Sequence, residues 1–321
     1  MTSQASFSAT TTHFTHLRDV VSAASSIDPH GLVIVSDQGL VFFSESNHIL
    51  NFQAVVDVSL FSSYQVVLPP GNSSTPTDIR FGLDLSLVAH ALDVLVQTDI
   101  ICYLSYNGEG SPFVLEFEDN IISETIEFLT MYVDISCPYD SEDAEHELLA
   151  NYSDWKYELI LQSAIFSNLL QDLQQINTRQ VHIVVNSTPK KELSFISDGP
   201  LGLSKIIYPS ESSVLEKLEI STAAKAISTF KFSNFFKIMK AVKISAKSKI
   251  ICDNNDISSV QLLCRSGGNY SATVITINML ELDEQVDIDD LERCFAEKET
   301  TKRRRLNDPV NNIVEDVPLF L

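Results

Sequence analysis

Tyr106-Asn107-Gly108-Glu109-Gly110-Ser111-Pro112-Phe113-Val114-Leu115-Glu116-Phe117-Glu118-Asp119 is the stretch from which the rest of the chain is read. Strand-like sequence lies on both sides of its glycines, Ile100 to Tyr106 before and Phe113 to Glu118 after. Glycines between two strands form a hairpin turn. A phosphate-cradling loop would open a helix instead. The chain has no P-loop, GxGxxG or nucleophile elbow.

Working towards the N-terminus, Ser86 to Val96 reads as a helix with Leu87, Val88, Ala91, Leu92 and Leu95 on its apolar side. Before it come strands Ile79 to Leu83, Phe61 to Leu68, Ile49 to Val56, Leu40 to Ser44 and Leu32 to Ser36. Asp37-Gln38-Gly39 is a turn, and Pro69 to Ser74 is a loop by composition. Phe14, Leu17, Val20, Val21 and Ala24 recur at helical spacing after a first strand, Phe7 to Thr11. On the other side, Ser123 to Val133 is the last strand of this half.

The second half repeats the order. Strand Lys156 to Gln162 leads into a helix near Ile165 to Ile176. Strands follow at Val181 to Val185, Leu193 to Ser197, Leu203 to Tyr208 and Ser228 to Phe232. A helix from about Asn234 to Val242 precedes strands Lys249 to Cys252, Val260 to Cys264 and Ala272 to Leu280. The repeat is one of pattern, with little identity between the halves. The reading is α+β: an N-terminal domain 1–133, an acidic connector 134–154, a C-terminal domain 155–283 and a flexible tail 284–321.

The 321 residues, 44% hydrophobic, suffice for two such cores. No apolar run approaches the roughly 20 residues of a membrane span, and the N-terminus has no basic start and apolar core of a secretory signal. Five scattered cysteines without a CxxC pair argue for reduced thiols and against a zinc ribbon.

The net charge of -21 argues against a simple nucleic-acid binder. Yet Ser221 to Cys252 carries Lys225, Lys231, Lys237, Lys240, Lys243, Lys247 and Lys249 and no acid. Lys237, Lys240 and Lys243, three apart, lie along one side of a helix, with Phe235, Ile238, Met239 and Val242 on the other. Lysines so placed suit a phosphate backbone without reading sequence. The plainer alternative is a solvated helix face, and the other helices carry little positive charge, so any basic lining is lopsided.

A two-metal nuclease needs several carboxylates converging on ions about 4 Å apart. The acids here lie mostly in the connector, in loops or near the tail. His13 and His16, without further His or Cys nearby, read as surface histidines rather than metal ligands. Lys302-Arg303-Arg304-Arg305 is a candidate nuclear import run. The tail ends in an apolar tip, Leu319-Phe320-Leu321.

The stretch Tyr106 to Asp119 resembles a signature of the DNA-damage checkpoint sliding clamp, the nine-one-one heterotrimer, a PCNA-like ring. More narrowly, it resembles the fungal form of the subunit historically described as a DNA repair exonuclease. Gly202-Leu203-Ser204-Lys205-Ile206, Val214-Leu215-Glu216-Lys217-Leu218, Asn234-Phe235-Phe236-Lys237 and the closing Asp316 to Leu321 strengthen the match. The resemblance covers roughly residues 5 to 282 plus the final residues.

The resemblance implies a PCNA-like DNA clamp of two similar domains, each with two inner helices backed by antiparallel sheets. It implies a non-catalytic, nuclear subunit with no cofactor and no metal, the alternative being a 3′–5′ exonuclease. Its partners would be two other PCNA-like checkpoint clamp subunits, an ATP-dependent clamp loader, and double-stranded or junction DNA through the ring. Arg18, Lys237, Lys240 and Lys243 would face DNA. Ser123, Ile126 and Phe128 would lie at one subunit interface, and Leu201, Leu203, Lys205 and Ile206 at the other. A partner groove would lie near His48 and Ile49. Separately from the resemblance, the apolar tip of an otherwise polar tail makes Leu319, Phe320 and Leu321 candidates to dock on the ring or its loader, the plainer alternative being a frayed chain end.

Overall fold

The computed structural model describes residues 5–68, 78–94, 100–118, 123–132, 148–187, 191–209, 214–221, 224–266, 269–283 and 295. The chain divides into a compact unit, Met1–Leu282, and the segment Asp283–Leu321. The account below concerns the first.

Its first half runs β1 (Ser6–Thr11), α1 (Phe14–Ser25), β2 (His30–Ser36), β3 (Gly39–Ser46), β4 (Leu50–Asp57), β5 (Ser63–Val67), β6 (Ile79–Asp84), α2 (Leu85–Val94), β7 (Ile101–Tyr106), β8 (Phe113–Glu118) and β9 (Ser123–Phe128). The second half runs β10 (Trp155–Gln162), α3 (Ser163–Gln175), β11 (Gln180–Asn186), β12 (Glu192–Gly199), β13 (Gly202–Pro209), β14 (Leu215–Ile220) and β15 (Lys225–Lys231). A helical segment in three pieces follows: α4 (Phe232–Phe235), a 3-10 turn (Phe236–Ile238) and α5 (Met239–Lys243). Strands β16 (Ser245–Asp253), β17 (Ile257–Ser266) and β18 (Asn269–Leu280) close it.

All strand pairs are antiparallel and build three sheets. A five-stranded sheet, β5-β1-β7-β8-β9, belongs to the first half, and a four-stranded sheet, β13-β12-β11-β15, to the second. A nine-stranded sheet, β14-β10-β16-β17-β18-β4-β3-β2-β6, takes strands from both. The halves meet in it where β18 pairs with β4, from Thr273↔Val56 to Met279↔Leu50.

Helix α1 buries the stripe that its spacing announces, whereas α2 does not: Leu87 is 58% exposed, and Leu85, Val88, Ala89 and Leu92 are its buried residues. Phe14, Leu17, Val20, Val21 and Ala24 of α1 are buried, as are Phe166, Leu169, Leu170 and Leu173 of α3. Burying a large apolar side chain fully contributes roughly 1.5–3 kcal/mol. Helix α1 packs against α2 and α5, and α5 packs against α3. One hydrophobic cluster joins these helices to the sheets of both halves, with Phe52, Phe166 and Phe235 among its largest members.

The hairpin between β7 and β8 is as expected. Gly108 and Gly110 both sit at positive φ, 101° and 80°, where a side chain is disfavoured. The stacked rings of Phe81 and Tyr106, 4.3 Å apart, fix the hairpin against β6.

Four expectations need correction. The strand from Ser123 ends at Phe128; Thr130 Oγ1 then donates to Ser111 O, and Met131 bridges Gly82 of β6. Phe61 to Leu68 shortens to β5 after a 3-10 turn, Val58–Leu60, whose start the Asp57 carboxylate caps by accepting from Ser59 N. Leu215–Ile220, not expected as a strand, is the edge strand β14. His16 is buried, not a surface residue, with Nε2 2.9 Å from Thr273 Oγ1 across the two halves.

Candidate nucleic-acid and subunit interfaces

The helical segment before β16 is no regular α-helix. The 3-10 turn at Phe236–Ile238 changes the phase of the residues after it, so its lysines do not share one environment. Lys240 and Lys243 are exposed, with Lys240 Nζ 3.0 Å from Ser22 Oγ of α1. Lys237 is half-buried, and its ammonium donates to Ile27 O at 2.7 Å and to Ser46 Oγ at 3.0 Å. Lys237 therefore holds the end of α1 rather than standing free before a phosphate.

Arg18 is also committed. Its guanidinium donates to Asp19 Oδ1 from Nε at 3.0 Å and from Nη2 at 2.7 Å, and Nε lies 3.7 Å from Asp93 Oδ1 of α2. Its charge is largely cancelled where the helices meet solvent.

Two further lysines of the acid-free stretch, Lys247 and Lys249, find acids on other strands. Lys247 pairs with Glu216 of β14 at 2.7 Å. Lys249 and Lys217 both reach Glu158 of β10, at 3.3 and 3.0 Å. Burial alone would push the Glu158 carboxyl up; hydrogen bonds from Lys217 and Lys249 outweigh it and hold it below the usual range. Lys231 and Arg179 are two further exposed cations. The hydrogen bond from Phe232 N to Arg179 O brings them together at the ends of β15 and β11. Sequence reading passed over Arg179, because only the β11–β15 register places it beside Lys231.

The expected subunit edges are sheet edges. β9 ends the five-stranded sheet and β13 ends the four-stranded one. On β9, Ser123 is exposed, while Ile126 and Phe128 are half-buried against the core. At the β13 end, Leu201 is 77% exposed, Leu203 and Lys205 are half-buried, and Ile206 packs on the core. Lys205 Nζ lies 3.7 Å from Glu192 Oε1.

His48 and Ile49 lie at the tight turn between β3 and β4, where Asn47 and His48 have positive φ. His48 is exposed and pairs with Glu45. Leu280 N bonds Ile49 O, so the turn meets the end of β18. Beside it, Asn51 Nδ2 and Asn278 Nδ2 both donate to Leu148 O, which holds the end of the connector on the β4–β18 seam. Ile49, Leu149, Tyr152 and Leu280 expose apolar surface in this region. Among the described residues no three His, Cys, Asp or Glu side chains gather as a metal-binding group. Lys302, Arg303, Arg304, Arg305, Leu319, Phe320 and Leu321, and most of the connector, lie outside the described residues.

Solved structures share this fold. A proliferating cellular nuclear antigen from Entamoeba histolytica matches with a TM-score of 0.68 at 13% identity, over 88% of this chain and 100% of that one. A chain of the PCNA2-PCNA3 complex from Sulfolobus tokodaii matches with a TM-score of 0.67 at 12% identity, over 86% and 100%. In sequence the chain is 29% identical to the DNA damage checkpoint control protein RAD17 of Saccharomyces cerevisiae, over 92% of this chain and 76% of that protein. It is 24% identical to the DNA damage checkpoint control protein rad1 of Schizosaccharomyces pombe, over 71% and 72%. Residues 6–264 match the family model of the repair proteins Rad1/Rec1/Rad17, and the chain, folded as a PCNA-like clamp, belongs to that family.

Proposed function

We propose that this checkpoint clamp protein is a non-catalytic subunit of a heterotrimeric ring, with a different PCNA-like subunit at each of the β9 and β13 edges and double-stranded or junction DNA through its centre. The observation that supports this reading is that β9 and β13, two of the six sheet-edge strands, end two different sheets, one in each half of a chain of this family and fold. Open edges invite strand pairing, and head-to-tail pairing through two unlike edges closes a ring. Residues 1–133 and 155–283 act as its two clamp domains, with 134–154 as the connector.

The helices line the hole. Lys240 and Lys243 supply this chain's main phosphate contacts, which are sequence-independent and salt-sensitive. Topology, not tight binding, retains the ring. Opening and loading fall to an ATP-dependent loader, since the sequence has no nucleotide-binding motif. The loaded ring works in the nucleus, where it recruits checkpoint signalling and repair factors. Among the described residues no cluster of His, Cys, Asp or Glu side chains favours the exonuclease alternative over this reading.

The test is the mass, by light scattering, of the chain co-expressed with the two other clamp subunits. A single 1:1:1 species, lost when β13 is disrupted at Leu203, is the expected result. A monomer would overturn the ring. DNA degradation by the purified, metal-supplemented chain, abolished by changing specific acids, would reinstate the exonuclease.

A further inference from the structure

The β9 and β13 edges differ in charge, and the difference runs through the whole first half. Residues 1–154 hold twenty-two Asp and Glu against two cations, Arg18 and Arg80. Both are already bound to carboxylates, Arg18 to Asp19 and Asp93, Arg80 to Asp78 at 2.9 Å. The other twenty cations nearly balance the twenty-one acids that follow. Thirteen of the net negative charges thus belong to the half that ends in β9, residues 1–133, and seven to the connector, 134–154.

At β9 the register shows where the acids stand. Val114↔Glu127, Glu116↔Thr125 and Glu118↔Ser123 are opposed pairs, so Glu116, Glu118 and Glu127 share the outer face of the sheet. Phe117↔Glu124 puts Glu124 at the solvent end of the other face. All four glutamates are exposed, and no ion pair engages them among the described residues. Burial, then the Glu118 and Glu116 carboxylates, hold the neighbouring Tyr103 phenol above its ordinary range.

β13 is of another kind. Its face beside the edge presents Leu203, Lys205 and the 48%-exposed Ile207, preceded by Leu201. Its one cation, Lys205, is shared with Glu192. A second copy's β13 would therefore set apolar side chains, and no free cation, against the glutamates of β9.

We infer that the β9 edge selects a ring neighbour whose own edge strand carries lysine or arginine at alternate positions, and that this charge requirement keeps a second copy of this chain off that edge. The inference rests on the ring reading above. Main-chain pairing supplies the ladder common to any edge strand; charge complementarity supplies the choice of partner.

The experiment measures pairwise association of the full chain with each of the two other clamp subunits, at about 50 mM and about 500 mM salt. The Glu116→Lys/Glu124→Lys/Glu127→Lys variant should lose one of the two pairwise complexes by more than roughly 100-fold in Kd and keep the other. A Glu116→Gln/Glu124→Gln/Glu127→Gln variant, which keeps the shape, should weaken the same complex less and flatten its salt dependence. Lysine-to-glutamate changes on the partner's edge strand should restore binding to the lysine variant. Retention of both complexes at wild-type affinity and salt dependence would overturn the charge requirement while leaving the ring intact. A stable trimer of this chain alone would also overturn it. Failure of the wild-type chain to bind either subunit would overturn the ring reading itself.

Discussion

Lys237 Nζ lies 2.7 Å from the main-chain oxygen of Ile27, just past the C-terminal end of α1. Carbonyls at a helix end lack intrahelical partners and carry the negative end of the helix dipole. A lysine from the second half places its positive charge beside that end of a helix of the first, on a carbonyl one residue past the C-cap. The contact is doubled by Ser26 Oγ, which donates to Lys237 O at 3.0 Å.

Lys237→Ala should therefore lower unfolding stability by about 1.5–3 kcal/mol, the range for a hydrogen bond to a charged group. It should leave the salt dependence of DNA retention by the assembled ring unchanged. Chemical denaturation and a salt titration separate the two effects. Wild-type stability with a reduced salt slope would make Lys237 a phosphate contact after all.

Lys240 and Lys243 should behave in the opposite way. Both are exposed, and neither is held by a carboxylate among the described residues. Replacing both by alanine in the assembled ring should reduce the slope of log affinity against log salt by about two, at roughly 0.9 per phosphate contact on duplex DNA. Stability should change by less than about 0.5 kcal/mol, as for ordinary surface substitutions. An unchanged salt slope would remove this segment from the DNA path.

The contrast between these lysines shows what a one-dimensional pattern can carry. The strand-turn-strand at Tyr106 to Glu118, the apolar stripe of α1 and the repeated element order depend on local periodicity, so they are readable. The fate of each lysine depends on long-range register. The stretch from Ser221 to Cys252 lacks acids, yet Glu158 and Glu216 reach its lysines from β10 and β14. β14 does not read as a strand because Glu216, Lys217 and Glu219 break its apolar pattern, and their partners are set by its pairing with β10. His16 was misplaced because a histidine beside a helix start reads as polar, while its actual neighbour, Thr273, lies 257 residues away.

His16 gives the fold an acid-sensitive seam. Burial pushes its pKa down; Asp19 opposes that shift and His13 adds to it. The unfolded chain then binds a proton on this residue at higher pH than the folded chain does. Stability should be complete above the ordinary histidine value near 6.5 and fall as pH drops through the depressed folded value. A His16→Gln variant, which can still hydrogen-bond Thr273, should lose this part of the pH dependence. The check is the denaturation midpoint of both proteins between pH 7.5 and 5, on the order of the histidine range. Parallel pH profiles would show that some other group carries the effect.

Glu158 should act in a lower pH window. It sits on β10 between two strands whose lysines both reach it, Lys217 from β14 at 3.0 Å and Lys249 from β16 at 3.3 Å. Despite the opposing effect of burial, those hydrogen bonds depress its pKa, so the carboxylate stabilises the fold above its unfolded value near 4.5. That contribution disappears as pH falls through the lower folded value. Glu158→Gln keeps the shape and removes the charge. At neutral pH it should cost roughly 1 kcal/mol, since both lysines are partly solvated and their pairs screened. The difference from wild type should shrink on acidification below the carboxylate range and fall with added salt. Because β14 is an edge strand, hydrogen exchange should rise first at Leu215–Ile220. Equal protection of that strand in the two proteins would mean that the apolar contacts of Leu215 and Leu218, not the ion pairs, hold the edge in place.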